Sequence, residues 1–382
     1  MNKDITKKQA MYLLLICLIG TKFQRLPSFL SDIAGKSFWV VLFIYMLIDG
    51  FFLLMTLKVI DLGGGASLYE VLEKTAGKVL SKVIFFVLGV YFLVLAILPY
   101  ESVHEVFADI IFDSLPWKYF AFFLLASMAV IAVSGLRNIG RLCQMMFFIS
   151  AIGIVGLCAL GVADADYSAL LPVTETVVQS VFDGVYKSTL WFGNFTILYV
   201  LMGRIKHDEK NRWGGIKLAF FISSIFVAFA FATFYGVYEF VSPIKRNWLT
   251  KVSQFALLSL DIGRLDWFLI LFGEIATILT AGIFVYCSAL SFKEVFGVKK
   301  INIIIYVLLL VLYLNTNFFA KSKLDIFRVL ITIGPILGGV VQYVLPVLFV
   351  WLSRRYSKTS DKNHSLLKFK DGKRKKEKEA QA

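Results

Sequence analysis

The sequence predicts an all-α polytopic membrane protein of about ten transmembrane helices, and three observations carry that prediction. Hydrophobic residues fill 58% of the 382 positions and charged residues only 17%, with a mean hydropathy of +0.76. The apolar residues are gathered into repeated runs of about 20, the length a helix needs to cross a hydrocarbon core about 30 Å thick. The runs lack the alternation over about 10 residues that marks the strands of a membrane barrel.

The spans are read near 9–31, 38–60, 80–100, 117–136, 143–163, 182–203, 217–240, 265–291, 301–320 and 327–352. Lys3, Lys7 and Lys8 ahead of the first run fit a signal peptide, but no small-x-small cleavage pattern follows, so the first helix is expected to be retained. Trp39, Trp117, Trp191, Trp267 and Trp351 mostly lie near span ends, as an aromatic belt would place them.

The first span holds an energetic conflict. Ten Leu, Ile and Phe residues lie between Leu13 and Leu30, and together they favour insertion by about 5 kcal/mol. Lys22 and Arg25, placed centrally, oppose it by about 5 to 7 kcal/mol, and Gly20-Thr21 and Pro27 flank them. Either the cations snorkel to an interface, or neighbouring helices supply a cavity and counter-charges.

Orientation follows from the cations in the connections. With the N-terminus in the cytoplasm, inside segments carry 28 of the 40 Lys and Arg and outside segments carry 10, so the positive-inside rule puts both termini in the cytoplasm. The segment from Arg354 onward carries +7, half of the net +14. We read 1–355 as the transmembrane domain and 356–382 as a disordered basic tail, attracted to anionic lipid rather than nucleic acid.

Two connections read as helices. Ser67-Leu-Tyr-Glu70 is a capping-box pattern opening a short cytoplasmic helix. Outside, Trp248, Val252, Phe255 and Leu258 recur at helical spacing, so 248–265 is expected to form an amphipathic helix over the membrane or a vestibule. Glu101–Asp113 reads as an acidic, solvated external connection.

Span 6 repeats the anomaly of span 1. It contains Phe192-Gly193-Asn194 inside an apolar run, and Gly20 and Gly193 sit at matching depths in the spans that head the two halves of the chain. Paired Gly-interrupted spans mark the midplane site of many transporters, because unwinding frees backbone groups to meet a ligand. The competing reading is that each glycine only allows close helix packing.

Asp49 and Glu274 lie about 16 and 14 Å deep, at 1.5 Å per helical residue. They balance Lys22 and Arg25 in number, either as structural ion pairs or as groups that titrate during a proton- or cation-linked cycle. In span 10, Gly334-Pro335 and Gly338-Gly339 predict a kink or close packing. Gly63-Gly64-Gly65 lacks a following Lys-Ser/Thr and is a turn, not a phosphate loop. Cys17, Cys143, Cys158 and Cys287 fall in or beside apolar runs without CxxC spacing, and His104, His207 and His364 are scattered. Neither a metal site nor a cofactor is implied, and no nucleophile–base–acid set suggests an enzyme.

Ile19-Gly-Thr-Lys22, Leu26-Pro-Ser28, Gly135-Leu-Arg-Asn-Ile-Gly-Arg141, Leu170-Leu-Pro172 and Phe192-Gly-Asn-Phe195, in this order, resemble the GerAB-type endospore germination permeases. Those are the B subunits of bacterial spore germinant receptors, within the amino acid–polyamine–organocation superfamily. The resemblance covers roughly 5–355. It implies a LeuT-like five-plus-five inverted repeat with helices 1 and 6 broken around an amino acid-like ligand. It further implies partner A and C subunits and the spore inner membrane. On this reading Gly20, Thr21, Lys22, Arg25, Phe192, Gly193, Asn194 and Thr277 bind ligand, and Asp49 and Glu274 couple charge. Helix 8, with Glu274, Thr277 and Thr280, would face helix 1. Three functions stay open: a sensing receptor subunit, a working permease and a non-binding scaffold for partner subunits. One departure stands out, because the superfamily keeps small residues after Gly-Thr whereas here Lys22-Phe-Gln-Arg25 follows.

Overall fold

The computed structural model describes residues 5–23, 25–107, 117–163, 165–170, 178–206, 213–239, 266–319 and 323–359. Their regular structure is helical, apart from an isolated parallel bridge between Ile5 and Ile205. Six helical stretches are long and apolar enough to cross a membrane: Leu26–Leu62, Lys78–Val106, Leu136–Val162, Gly214–Tyr238, Phe268–Phe296 and Val329–Thr359. Shorter apolar helices cover Ala121–Val133 and Ile301–Asn315. The expected external helix at 248–265 and all but 356–359 of the expected basic tail, 356–382, lie outside the described residues, as do 108–113 of the acidic connection; 356–359 are helical.

Spans 1 and 6 are each interrupted. Thr6 and Gln9 form a capping box that starts α1, Lys7–Gly20. A helix this apolar belongs in an interior, and Ala10 and every residue from Tyr12 to Gly20 are buried. The chain leaves helical geometry after Gly20 and resumes as α2, Leu26–Ala34, with Pro27 in its first turn, where the missing N–H costs nothing. A 3-10 turn, Gly35–Ser37, joins α2 to α3, Phe38–Leu62. The predicted capping box is present at Ser67 and Glu70 and opens α4, Leu68–Ala76.

Lys78–Val106 forms α5, which corrects the sequence reading. Span 3 was expected to end near residue 100 with a solvated acidic connection after it. The helix instead runs on through Glu101 and Glu105, and Glu105 is only 6% exposed. Trp117–Val133 is α6 and Leu136–Val162 is α7.

The second interrupted span begins with α8, Val178–Lys187. It passes through two 3-10 turns, Thr189–Trp191 and Asn194–Thr196, and ends as the short α9, Ile197–Leu201. Gly193, between the two turns, has φ 71°, a left-handed conformation that favours glycine. Then follow α10, Gly214–Tyr238; α11, Asp266–Phe296; α12, Ile301–Phe319; and α13, Lys323–Gly339. Span 10 contains Pro335, continues past α13 through a π-helical turn at Val340–Val344 and stays helical to Thr359. Two of its three glycines serve close packing: a Cβ on Gly338 would lie 2.9 Å from Thr189, and one on Gly334 would strike Leu190, whereas one on Gly339 would meet nothing within 4 Å.

α11 packs chiefly on α5 and α7 and also on α1. As expected for helix 8 against helix 1, Thr280 Oγ1 donates to Ile16 O at 3.1 Å. A Cβ on Gly20 would stand 2.6 Å from Ala276 O, so this glycine does serve close packing.

Candidate functional site

The two interruptions meet. Asn194 Nδ2 donates to Cys17 O at 2.9 Å and to Thr21 Oγ1 at 2.8 Å, and Thr21 Oγ1 donates to Cys17 O at 3.2 Å. Phe29 in α2 stacks on Trp191 with centroids 4.9 Å apart. Trp191 is 2% exposed and sits in the break.

Carbonyls and amides freed by the second break are met by other helices. Gly193 N–H donates to Asp49 Oδ2 on α3 at 3.1 Å. Gln342, in the π-helical turn, donates from Nε2 to Thr189 O at 3.0 Å, to Phe192 O at 3.1 Å and to Tyr91 Oη at 2.9 Å. A π turn shifts the register of a helix and is often found at functional sites; here it presents Gln342 to the backbone of its neighbour. Tyr45 Oη donates to Val185 O and, at 3.2 Å, to Thr189 Oγ1. Its ring stacks on Phe192 at 3.7 Å and 3°.

Lys22 Nζ lies 5.2 Å from the centroid of Phe192, a cation–π approach. Lys22 and Asp49, 6% and 2% exposed, line one cavity of about 390 Å³ together with Tyr45, Phe192, Leu42 and Val227. Among the described residues no carboxylate oxygen lies within 4.0 Å of Lys22 Nζ, and Asp49 Oδ1 has no hydrogen-bond partner. Above the cavity, Asp166 Oδ1 accepts from Ser168 N–H at 2.8 Å beside the 3-10 turn Tyr167–Leu170, whose Leu170 joins the lining. These Ser168 hydrogen bonds hold the Asp166 carboxyl below the usual carboxylate range.

The sequence offered Asp49 and Glu274 as counter-charges for both cations, and for Arg25 that pairing does not occur. Arg25 forms a bidentate ion pair with Glu105, with Nε donating to Oε2 at 2.8 Å. Glu105 escaped notice because it was assigned to a solvated connection. Glu274 and Thr277 are 1% and 3% exposed on α11, but neither lines the cavity. Of the ten residues singled out, Thr21, Lys22, Asp49, Phe192, Gly193 and Asn194 are thus gathered where the breaks meet. Gly20 packs on α11, Arg25 pairs with Glu105 of α5, and Glu274 and Thr277 lie on α11 outside the cavity lining.

Three participants were missed: Tyr45, Glu105 and Gln342. Gln342 carried a usable signal, being an amide in the apolar run Val340-Val-Gln-Tyr-Val344, where polar side chains are expensive. Tyr45 carried none, since an aromatic in an apolar helix reads as packing.

Relatives with this fold and sequence are found. Over 358 residues the chain is 22% identical to spore germination protein B2 of Bacillus subtilis (strain 168), covering 91% of this chain and 94% of that protein. It is 23% identical over 292 residues to spore germination protein YndE of the same organism, covering 75% and 78%. Crystal structures of the Eremococcus coleocola manganese transporter superpose with a TM-score of 0.57 at 11% identity, over 92% of this chain and 86% of that one. The chain has the fold of those transporters; among its own described residues no cluster of three or more His, Cys, Asp or Glu is placed to hold a metal. The spore germination protein family model matches residues 4–324, and the chain belongs to that family of spore germination permeases.

Proposed function

We propose that this chain is the B subunit of a spore germinant receptor. It binds a small nutrient, an amino acid or close relative, where broken helices 1 and 6 meet, and it signals by changing conformation. One observation carries the reading: Lys22 and Asp49 are buried in one cavity without forming a close ion pair. An isolated buried charge costs several kcal/mol, roughly. A zwitterion gives each charge the close partner it lacks, its carboxylate to Lys22 and its ammonium to Asp49 Oδ1. A cavity of about 390 Å³ falls within the size range of small-molecule sites.

In this reading the four shorter or interrupted spans also cross the membrane, giving ten spans in two repeats of five headed by the two breaks. Both termini face the cytoplasm of the spore inner membrane, and A and C subunits receive the signal. The permease reading is supported by the transporter fold.

Purified protein in liposomes and radiolabelled amino acids separate the readings. Saturable binding without flux is the expected result. Concentrative uptake overturns sensing in favour of transport, and absence of both leaves a scaffold.

A further inference from the structure

The cavity has a direction. At its inner end stand Lys22, Asp49, Tyr45 and Phe192, all under 7% exposed. Its walls are α3 and α10. Moving outward the lining becomes more exposed, through Met46 and Ser224 to Phe43, 57% exposed, and Ala228.

Both lengthwise exits are narrowed. Toward residue 38, Phe38 packs on Tyr235 at 5.2 Å and on Phe231 at 6.3 Å, and Tyr167 Oη and Thr233 Oγ1 share a hydrogen bond at 3.3 Å. Toward residue 50, α3 and α10 meet where a Cβ on Gly50 would lie 3.4 Å from Phe220. The surfaces beside the mouth are apolar and open: Leu47, Phe51, Ile225 and Phe229 are 47–57% exposed. These residues lie within helices long and apolar enough to span a bilayer, so their exposed faces meet hydrocarbon.

We propose that the slot between α3 and α10 is the side-chain subsite of the ligand, that it opens sideways into the bilayer, and that it therefore selects long apolar side chains with no upper limit on length. This rests on the zwitterion reading of Lys22 and Asp49. A closed pocket rejects a side chain once its volume is filled, because overpacking displaces the walls. A slot ending in hydrocarbon has no such end wall. Each added methylene leaves water for an apolar surrounding, first protein and then lipid tails, and gains about fourfold in affinity.

The test uses the full chain in lipid nanodiscs and measures binding of L-alanine, L-norvaline, L-norleucine and L-2-aminooctanoate. Affinity is expected to rise about fourfold per methylene through the whole series. Ala228→Trp and, separately, Ser224→Trp place a ring across the mouth. Each is expected to lower the ratio of 2-aminooctanoate to alanine affinity by more than tenfold. Alanine binding as tightly as norleucine, or rejection of 2-aminooctanoate by the native chain, overturns the open slot while leaving the amino acid site standing. An unchanged ratio in both tryptophan variants also overturns it. Failure of every amino acid to bind overturns the underlying reading as well.

Discussion

The break after Gly20 keeps right-handed backbone at Thr21 and Arg25 and carries two cations, whereas the break at Gly193 turns left-handed and carries none. The second is held from outside: Asp49 of α3 caps its amide, and Gln342 of the π turn takes two of its carbonyls. The first is held at its flanks, by Asn194 on Cys17 and Thr21 and by Glu105 on Arg25, and Lys22 between them lies over the Phe192 ring with no carboxylate oxygen within 4.0 Å among the described residues. The Gly193 break is therefore architecture, fixed by satisfied backbone groups. In the proposed function, the Gly20 break presents Lys22 to the ligand. Substitutions at the two should separate loss of fold from loss of binding.

Gly193→Leu is expected to do the most damage. Left-handed backbone costs a side-chain-bearing residue about 1–2 kcal/mol, and the new side chain runs into Gln342, adding about 1–3 kcal/mol of overpacking. Membrane insertion should persist while thermal stability and germinant response are lost. A normal dose–response would refute the paired-break site. Gly20→Leu meets backbone at Ala276 and should lose response likewise.

Arg25→Met comes next. It strands Glu105 in a buried position, and breaking such a pair costs about 3–5 kcal/mol. Adding Glu105→Met should restore most of the lost melting temperature; additive losses would show that the pair does not couple. Gln342→Leu should cost about 1–3 kcal/mol, the penalty for carbonyls left without donors. That effect should show as faster amide exchange confined to the segment around residues 189–196.

Which of these features the sequence discloses depends on how far the interaction reaches. Gly20-Thr21 and Gly193-Asn194 interrupt apolar runs, so both breaks show in the chain itself. Asp49 shows for the same reason, as a carboxylate inside a span. Pairing does not show, because it depends on where helices lie side by side. Arg25 meets Glu105 across 80 positions only because α5 runs six residues beyond the span's expected end. Glu274 looked equivalent to Asp49 by depth, yet it does not line the cavity, and its helix meets α1 through Thr280. The π turn is a local change of register with no composition of its own, and only the stray amide at Gln342 hints at it.

Lys22→Gln should not lower stability, since the buried cation it removes has no close ion pair to lose. Its effect belongs to binding, and it tests the central claim most directly. Saturable binding of labelled L-norleucine should be measured in nanodiscs for the native chain and for Lys22→Gln, alongside their melting temperatures. We expect affinity to fall at least tenfold with no loss of melting temperature. Equal affinity in the two would contradict the assignment of Lys22 to the ligand carboxylate, and with it the site where the two breaks meet.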